Sequence, residues 1–149
     1  MQQVRCEVRG VFVAINNSAT VPVVVLTDGA GRLMPIFIGL WEAVSINSAH
    51  NKEVPPRPFT HDLFLDLMNR FSISVNHLQI DSAEEGVYYA QLFLTADGRD
   101  ECLDCRPSDG IAVALRASAP IFVDEGLIVA ADRGGAVSDM VDLSTFLQK

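Results

Sequence analysis

Two short stretches of the sequence share an arrangement of side chains that could do chemistry. They are "PRPFTHDL" and "CRPSDGI", and in both an Arg-Pro pair is followed by a hydroxyl residue and then by an aspartate. The residues concerned are Arg57, Thr60, Asp62, Arg106, Ser108 and Asp109. A guanidinium group binds phosphate or carboxylate through two parallel hydrogen bonds, and a carboxylate can hold a cation or a proton. The pattern is therefore compatible with a phosphate site as well as with structural ion pairs.

Helix initiation explains part of this pattern. Thr60 and Ser108 are predicted to be N-caps, each stabilising its helix by about 1 kcal/mol. Asp62 and Asp109 then fall in the first turn, where a negative charge meets the positive end of the helix dipole. Helix initiation does not explain the arginines, because a cation near a helix N-terminus is unfavourable without an anionic partner.

Two partners are possible for Arg57 and Arg106. One is structural: each arginine pairs with a nearby aspartate, and the pairs tie the two helix starts together. The candidate aspartates are Asp62, Asp104 and Asp109. The other partner is a phosphate, bound by the guanidinium and by unpaired N–H groups of the helix. We expect the two Arg-Pro segments to meet in space, with Arg57 or Arg106 in hydrogen-bond reach of a carboxylate of the other segment.

Acidic residues also occur at three of the predicted helix starts and at one strand end. They are Glu42, Asp62, Asp104 and Asp109. If three helix starts converge, these carboxylates could line one cleft and hold Mg²⁺ or Mn²⁺ through oxygen ligands. Glu42, Asp104 and Asp109 are the candidate metal ligands. His61 is a candidate general base or phosphate contact, and the alternative is a first-turn residue packed on the preceding loop.

The elements that position these residues follow from the hydrophobic periodicity. Strands are predicted in two runs of three, with helices after each run and short turns between neighbouring strands. The predicted strands are residues 4–15, "TVPVVVLT", "RLMPIFI", "SVNHLQI", "GVYYAQLFLT" and "RDECLDC", with turns at "NNSA", "DGAG", "DSAEE" and "ADG". The predicted helices are "LWEAVSINSAHN", the segment from Thr60, the segment after Arg106, and "EGLIVAA", which ends at "DRGG". "APIFVD" is predicted to be extended, and "MVDLSTFLQK" a terminal helix or a loose tail.

Short turns make each triplet of strands an antiparallel meander. We therefore predict an α+β fold in which two antiparallel three-stranded meander-plus-helix units form one domain, with additional helices. The domain is expected over residues 1–131, with residues 132–149 as its C-terminal tail or short helix. The apolar strand "TVPVVVLT" predicts a homodimer, because it would need cover at the edge of a sheet.

Composition narrows the function classes. The chain has 149 residues, 49% hydrophobic residues and a formal net charge of −8. A net negative charge gives no general attraction to nucleic acid, so such a substrate would need a local basic patch or bound cations. No apolar run approaches the roughly 18 residues needed to span a membrane. The sequence therefore predicts a cytoplasmic protein without membrane contact.

Three blocks of the sequence resemble a known family. "LMPIFIGLWEA", "PRPFTHDL" and "DCRPSDGIAVALRASAPIFV" are similar to the signature blocks of the bifunctional nuclease domain family, in the family's order. The resemblance covers roughly residues 8 to 130. It implies an α+β fold and a nuclease activity toward both RNA and DNA, and it leads us to expect alanine where Gly110 stands.

Two functions remain open at this point. The first is a metal-dependent nuclease, with Asp62, Asp104, Asp109 and His61 as candidate catalytic residues. Its candidate substrate-binding residues are Arg57, Arg106, Thr60 and Ser108. The second is a non-catalytic binding or regulatory domain whose Arg–Asp network is structural or binds a small anion. Four acidic residues around one metal ion would favour the nuclease, and aspartates saturated by arginines would favour the binding domain.

Overall fold

Eight strands and five helices make up the part of the chain that the structure, a computed structural model, describes: residues 2–16, 19–133 and 139–148. The strands are β1 (Gln3–Asn16), β2 (Ala19–Asp28), β3 (Leu33–Phe37), β4 (Ser74–Glu84), β5 (Val87–Ala96), β6 (Arg99–Cys105), β7 (Ile121–Asp124) and β8 (Met140–Asp142). The helices are α1 (Leu40–His50), α2 (Thr60–Arg70), α3 (Pro107–Ala117), α4 (Glu125–Arg133) and α5 (Leu143–Leu147). No helix within these ranges is long and apolar enough to cross a membrane.

One sheet joins all the strands, in the order β3-β2-β1-β7-β4-β5-β6, with β8 paired to β1. The two predicted meanders, β1-β2-β3 and β4-β5-β6, are antiparallel. The short strand β7 joins them, because it pairs antiparallel with β1 and parallel with β4. The prediction of an α+β fold built on two meanders is confirmed.

The core lies between the sheet and the helices that cover it. Helix α1 packs on β1 and β2, α3 packs on β4 and β5, and these two helices also contact each other. Helix α2 packs on α3. Strand β2 lies inside the sheet, between β1 and β3, and its residues 23–26 are buried. The argument that this strand requires a second copy for cover is therefore wrong, because its neighbours in the same chain already cover it.

Gly110 allows α3 to approach the sheet closely. A Cβ atom built at this position would overlap the Leu78 side chain of β4 and lie 3.1 Å from the Cys105 sulfur. Leu78 is fully buried, so it has little room to move. The glycine thus sets the distance between the sheet and the helix that carries Asp109.

The predicted turn "DSAEE" is wrong for its first four residues. Strand β4 continues to Glu84, and the chain reverses at Glu85 and Gly86, which both have positive φ angles, 51° and 80°. Pairing of this segment with the "VYY" run of β5, across an irregularity between Ile80 and Ser82, outweighs the weak strand propensity of Asp, Ser and Glu.

At the C-terminal end the predicted terminal helix is present as α5, whereas strand β8 was not predicted because it is only three residues long. Asn16 and Ala19 of the predicted turn "NNSA" belong to β1 and β2, and Asp132 and Arg133 of the predicted helix break "DRGG" belong to α4. Residues 17–18 and 134–135 of these two predictions lie outside the described residues.

Candidate functional site

The first turns of α1, α2 and α3 converge on one groove of about 290 Å³. Its lining includes Trp41 and Glu42 of α1, Thr60 and His61 of α2, and Arg106 and Asp109 at the start of α3. The sequence-based condition that three helix starts converge is therefore met. The positive ends of three helix dipoles and the Arg106 guanidinium favour an anion in this groove, whereas the carboxylates of Glu42 and Asp109 in the same lining oppose one.

The predicted helix caps are both wrong by one or two residues. Phe59 and Arg106 occupy the N-cap positions, which makes Thr60 and Pro107 the first helical residues. Proline suits the first helical position because its φ angle is already helical and it has no N–H group to leave unpaired. In α2 the Asp62 carboxylate accepts a hydrogen bond from the Phe59 N–H at 2.8 Å. Thr60 and Ser108 therefore do not cap their helices.

His61 connects the two Arg-Pro segments. Its Nε2 lies 2.8 Å from Asp109 Oδ1, and its Nδ1 lies 2.6 Å from Ser45 Oγ. Arg116 donates a hydrogen bond to Ser45 Oγ at 3.1 Å, which directs the serine hydroxyl proton toward His61 Nδ1. We assign the imidazole tautomer from this network: Nδ1 accepts from Ser45, and Nε2–H donates to Asp109.

Asp109 is held by two donors, one on each carboxylate oxygen. Arg106 Nε donates to Oδ2 at 2.9 Å, and His61 donates to Oδ1. Partial burial alone would raise the pKa of Asp109, but the hydrogen bonds from Arg106 and His61 outweigh it and hold that pKa below the ordinary value. Asp109 is therefore charged at neutral pH, and its two oxygens already have partners.

The Ser45–His61–Asp109 row has the residue types of a serine-hydrolase triad in an unsuitable orientation. A nucleophilic serine must be exposed to the substrate, with the aspartate buried behind the histidine. Here Ser45 is 4% exposed, whereas the Asp109 side chain is 36% exposed. Ser45 is therefore a positioning residue that orients His61, and the outward end of the row is Asp109 with Arg106.

Arg116 anchors the inner end of this row. Its side chain is only 7% exposed and donates to Asp62 at 2.6 Å, to the Ala112 carbonyl at 3.0 Å and to the Ser45 carbonyl at 3.2 Å. Burial raises the pKa of Asp62, but the hydrogen bonds from Arg116 and from the Phe59 N–H outweigh it and lower that pKa overall. Asp62 does not line the groove that contains Arg106, so its expected catalytic role is not supported.

Sequence reasoning missed Ser45 and Arg116. The signal for Arg116 was present, since it is a cation inside the apolar segment "IAVALRASAP", where an arginine needs a buried partner. Ser45 had no comparable signal, because a serine inside a helix is ordinarily solvent-facing or bonded to its own backbone.

Arg106 lines the groove with an exposed side chain. Its side chain is 67% exposed and its Nε is fixed on Asp109, while its two terminal nitrogens make no hydrogen bond to any described residue. Arg57 is exposed and forms no ion pair with the described part of the chain. The expected contact between one of these arginines and a carboxylate of the other segment is therefore wrong. Asp109 lies three residues after Arg106, so this arginine pairs within its own segment. The contact between the two segments is made by His61 and Asp109 instead.

The predicted metal cluster is not assembled. Glu42 lines the groove beside Arg106, whereas Asp104 lines a neighbouring groove of about 420 Å³ that shares His61, Arg106 and Asp109. Within the described ranges, no three histidine, cysteine or acidic side chains are grouped so that they could hold a metal ion. Each oxygen of Asp109 already accepts one hydrogen bond, from His61 or from Arg106.

Cys105 also lines the neighbouring groove. Burial, with smaller contributions from the charges of Asp109 and Asp104, raises the pKa of its thiol to about 11. The thiol is therefore protonated at neutral pH and is a poor nucleophile.

Comparison with known proteins identifies the sequence blocks that carry this site. The profile described as "Bifunctional nuclease domain" matches residues 24–133. The chain is 37% identical over 126 residues to the "Uncharacterized protein Rv1829" of Mycobacterium tuberculosis, covering 84% of this chain and 75% of that protein. It is 32% identical over 111 residues to "Bifunctional nuclease 1" of Arabidopsis thaliana, covering 71% of this chain and 34% of that protein. It is 30% identical over 118 residues to "Bifunctional nuclease 2" of Oryza sativa subsp. japonica, covering 76% of this chain and 36% of that protein.

Proposed function

Because this chain belongs to the bifunctional nuclease domain family, we propose that it binds phosphodiester groups of RNA or DNA at the groove between α1, α2 and α3 and hydrolyses them. The names of the plant relatives support a nuclease-related function. The chain spans about a third of the length of those plant proteins. The proposal of nuclease activity is therefore based on the shared domain and on the groove.

The observation that carries the proposal is the setting of Arg106. Its terminal nitrogens make no hydrogen bond to a described residue, and Arg106 lines the groove where the N-terminal ends of three helices meet. A guanidinium in this setting neutralises a phosphate and the charge that develops on it during hydrolysis. No other side chain of the groove combines a fixed cation with free donors in the described structure.

The remaining network holds this cation in place. Asp109 fixes the Nε of Arg106, His61 fixes Asp109, and Ser45 fixes His61. We assign each of them a positioning role, because each hydrogen-bonds the next side chain in the row that ends at Arg106. Preorganised donors accelerate a reaction more than mobile donors do, since they need no rearrangement in the transition state.

Glu42 and Asp104 are the two carboxylates near Arg106 that have no ion pair with a described residue. One of them could accept a proton from the attacking water. They line separate grooves, so each of them alone would hold a divalent cation together with a substrate phosphate, since Mg²⁺ is commonly bound through one or two carboxylates and substrate phosphates. Such an ion would supply a more acidic water and neutralise phosphate charge.

A specific observation favours a second function, a non-catalytic domain that binds an anion. Both aspartates of the Arg-Pro segments are saturated, Asp62 by Arg116 and Asp109 by Arg106 and His61. Saturated aspartates are typical of a structural network. In this second function Arg106 and the helix N-termini would bind a phosphate group without cleaving it.

A cleavage assay separates the two functions. Labelled single-stranded RNA and DNA oligonucleotides are incubated with the protein in EDTA, Mg²⁺ or Mn²⁺, and Arg106→Gln is purified in parallel. If the proposal holds, Arg106→Gln lowers kcat/KM by about 10²- to 10³-fold. Arg70→Gln is the matched control, because Arg70 is 75% exposed on α2 and lines none of the grooves around Arg106. This control should leave the rate unchanged.

The outcomes are distinct. Equal cleavage by wild type and Arg106→Gln would assign the activity to another site or to a contaminating nuclease. Absence of cleavage in every metal condition, combined with oligonucleotide binding that depends on Arg106, would establish the non-catalytic function instead. Loss of activity in Glu42→Gln and Asp104→Asn only in the presence of a metal would identify them as its ligands.

A further inference from the structure

Arg106 is shared by three grooves, and each groove has an exposed aromatic side chain in its wall. The grooves have volumes of about 480, 290 and 420 Å³. Their aromatic residues are Phe37 (59% exposed), Trp41 (77% exposed) and Phe64 (36% exposed), respectively. Large aromatic side chains are normally buried, so three exposed ones around a single cation need a physical reason.

We propose that these aromatics are stacking platforms for unpaired bases, with Trp41 as the main one, and that the site therefore takes single-stranded nucleic acid. The inference rests on the proposed function for the phosphate contact at Arg106. It adds the substrate class, because only an unpaired base can place its face against an exposed ring. In a duplex the base faces are covered by neighbouring base pairs.

The charge of the protein supports the stacking role. The net charge of −8 and the nearby Glu42 and Asp104 oppose a polyanion, so long-range attraction contributes little to binding. Affinity must then come from short-range contacts: phosphate on Arg106 and the helix N-termini, and bases on aromatic rings. Stacking of a base on a ring needs no contact with the sugar 2′-hydroxyl, which agrees with a site that accepts both RNA and DNA.

The position of Trp41 suits this role. It lies in the first turn of α1, next to Glu42 and in the same groove as Thr60, His61 and Arg106. Phe59, the N-cap of α2, lines the same groove and is partly buried. A phosphate on Arg106 therefore places its attached nucleoside beside an indole ring that makes little contact with its own protein.

Trp41 is the only tryptophan of the chain, which makes it a direct reporter. Its fluorescence is titrated with an oligothymidylate single strand and with a blunt duplex of the same length, in EDTA. We expect the single strand to quench the fluorescence and the duplex to leave it nearly unchanged. Anisotropy of the labelled single strand then measures affinity for variants that lack the indole.

Trp41→Ala should weaken single-strand binding on the order of tenfold to a hundredfold, whereas Trp41→Phe, which keeps an aromatic face, should retain most of the affinity. Arg106→Gln should lower the magnitude of the salt slope by about 0.7. Leu147→Ala removes an exposed apolar side chain that lines none of the three grooves, and it should bind as wild type does.

The results that overturn this inference differ from those that overturn the proposed function. Cleavage that depends on Arg106, with Trp41 unquenched and Trp41→Ala binding normally, would reject stacking and leave the nuclease proposal intact. Quenching by single strands without any cleavage would reject hydrolysis and leave the stacking site intact. Equal binding of duplex and single strand would reject the substrate class. A Trp41 emission that shifts with protein concentration alone would identify a second copy of the chain as the occupant.

Discussion

His61 and Asp109, which lie 48 residues apart in the chain, are joined by a 2.8 Å contact between Nε2 and Oδ1. This contact links the start of α2 to the start of α3. It also connects buried Arg116 and Ser45 to exposed Arg106, because each side chain in this row hydrogen-bonds the next one.

His61→Ala should lower the free energy of unfolding by about 1–3 kcal/mol, because it leaves the Ser45 hydroxyl proton without its acceptor and one oxygen of Asp109 without its donor. Urea unfolding at pH 7 measures the change. His61→Gln retains a donor and should cost less than the alanine variant. Equal losses in both variants would show that the ring packs without orienting Asp109.

Asp109→Asn should destabilise the protein at neutral pH, because the amide cannot accept hydrogen bonds from both Arg106 and His61. The pKa of Asp109 is lowered in the folded state, so its charge contributes stability above the ordinary Asp pKa of about 3.9. That contribution is lost as the pH falls through the lower, folded pKa. The stability difference between wild type and Asp109→Asn should therefore shrink in acid, as followed by urea unfolding from pH 7 downward. A difference that is constant with pH would contradict this assignment.

Arg116→Met should cost about 3 kcal/mol, the low end of the range for buried pairs, because it removes the buried partner of Asp62 and leaves this partly exposed carboxylate with only the Phe59 N–H as a donor. Asp62→Asn on the Arg116→Met background should cost much less than it does in the wild type. A double-mutant cycle by chemical unfolding measures this coupling. Additive effects of the two substitutions would show that the pair does not couple.

Gly110→Ala should destabilise the protein despite the higher helix propensity of alanine. The helix gains about 1 kcal/mol from the substitution, whereas overpacking against buried Leu78 costs about 1–3 kcal/mol. Leu78→Val should partly restore stability in the Gly110→Ala variant because it removes the atoms that overlap. A Gly110→Ala variant with raised stability would show that α3 can move away from the sheet without cost.

The homodimer stays a prediction. The surface that we now expect to form it lies on helix α2 and not on strand β2. Helix α2 exposes Leu63, Leu67 and Phe71 at intervals of four residues, with Asp66 and Arg70 beside this stripe. Two antiparallel copies of α2 would place the Asp66 of one chain near the Arg70 of the other, so the surface is self-complementary. Light scattering should give twice 16.2 kDa for the wild type and the single mass for Leu67→Asp. A wild-type mass of 16.2 kDa at every concentration would contradict the dimer.

The sequence by itself determined the local elements and the residue types of the site. The alternating apolar pattern placed six of the strands, and the i, i+4 apolar pattern placed the helices, near their observed positions. These patterns are informative because each element buries one face, and the residues of that face recur with the period of the element. Arg106 and Asp109 were also identifiable from the sequence, since their pair lies within one helical turn. The caps were misplaced because Thr60 and Ser108 have suitable side chains, whereas the fixed φ angle of Pro107 and the Asp62 contact decided where the helices begin.

Only the tertiary structure decided which distant side chains meet. The contacts Ser45–His61, His61–Asp109 and Asp62–Arg116 join residues 16, 48 and 54 positions apart. Their geometry depends on how α1 and α3 pack side by side, and that depends on β7 joining the two meanders into one sheet. A four-residue strand with a parallel and an antiparallel neighbour has no distinctive sequence period, so long-range packing set its place in the sheet. The same packing decided that His61, and not Arg57, links the two segments.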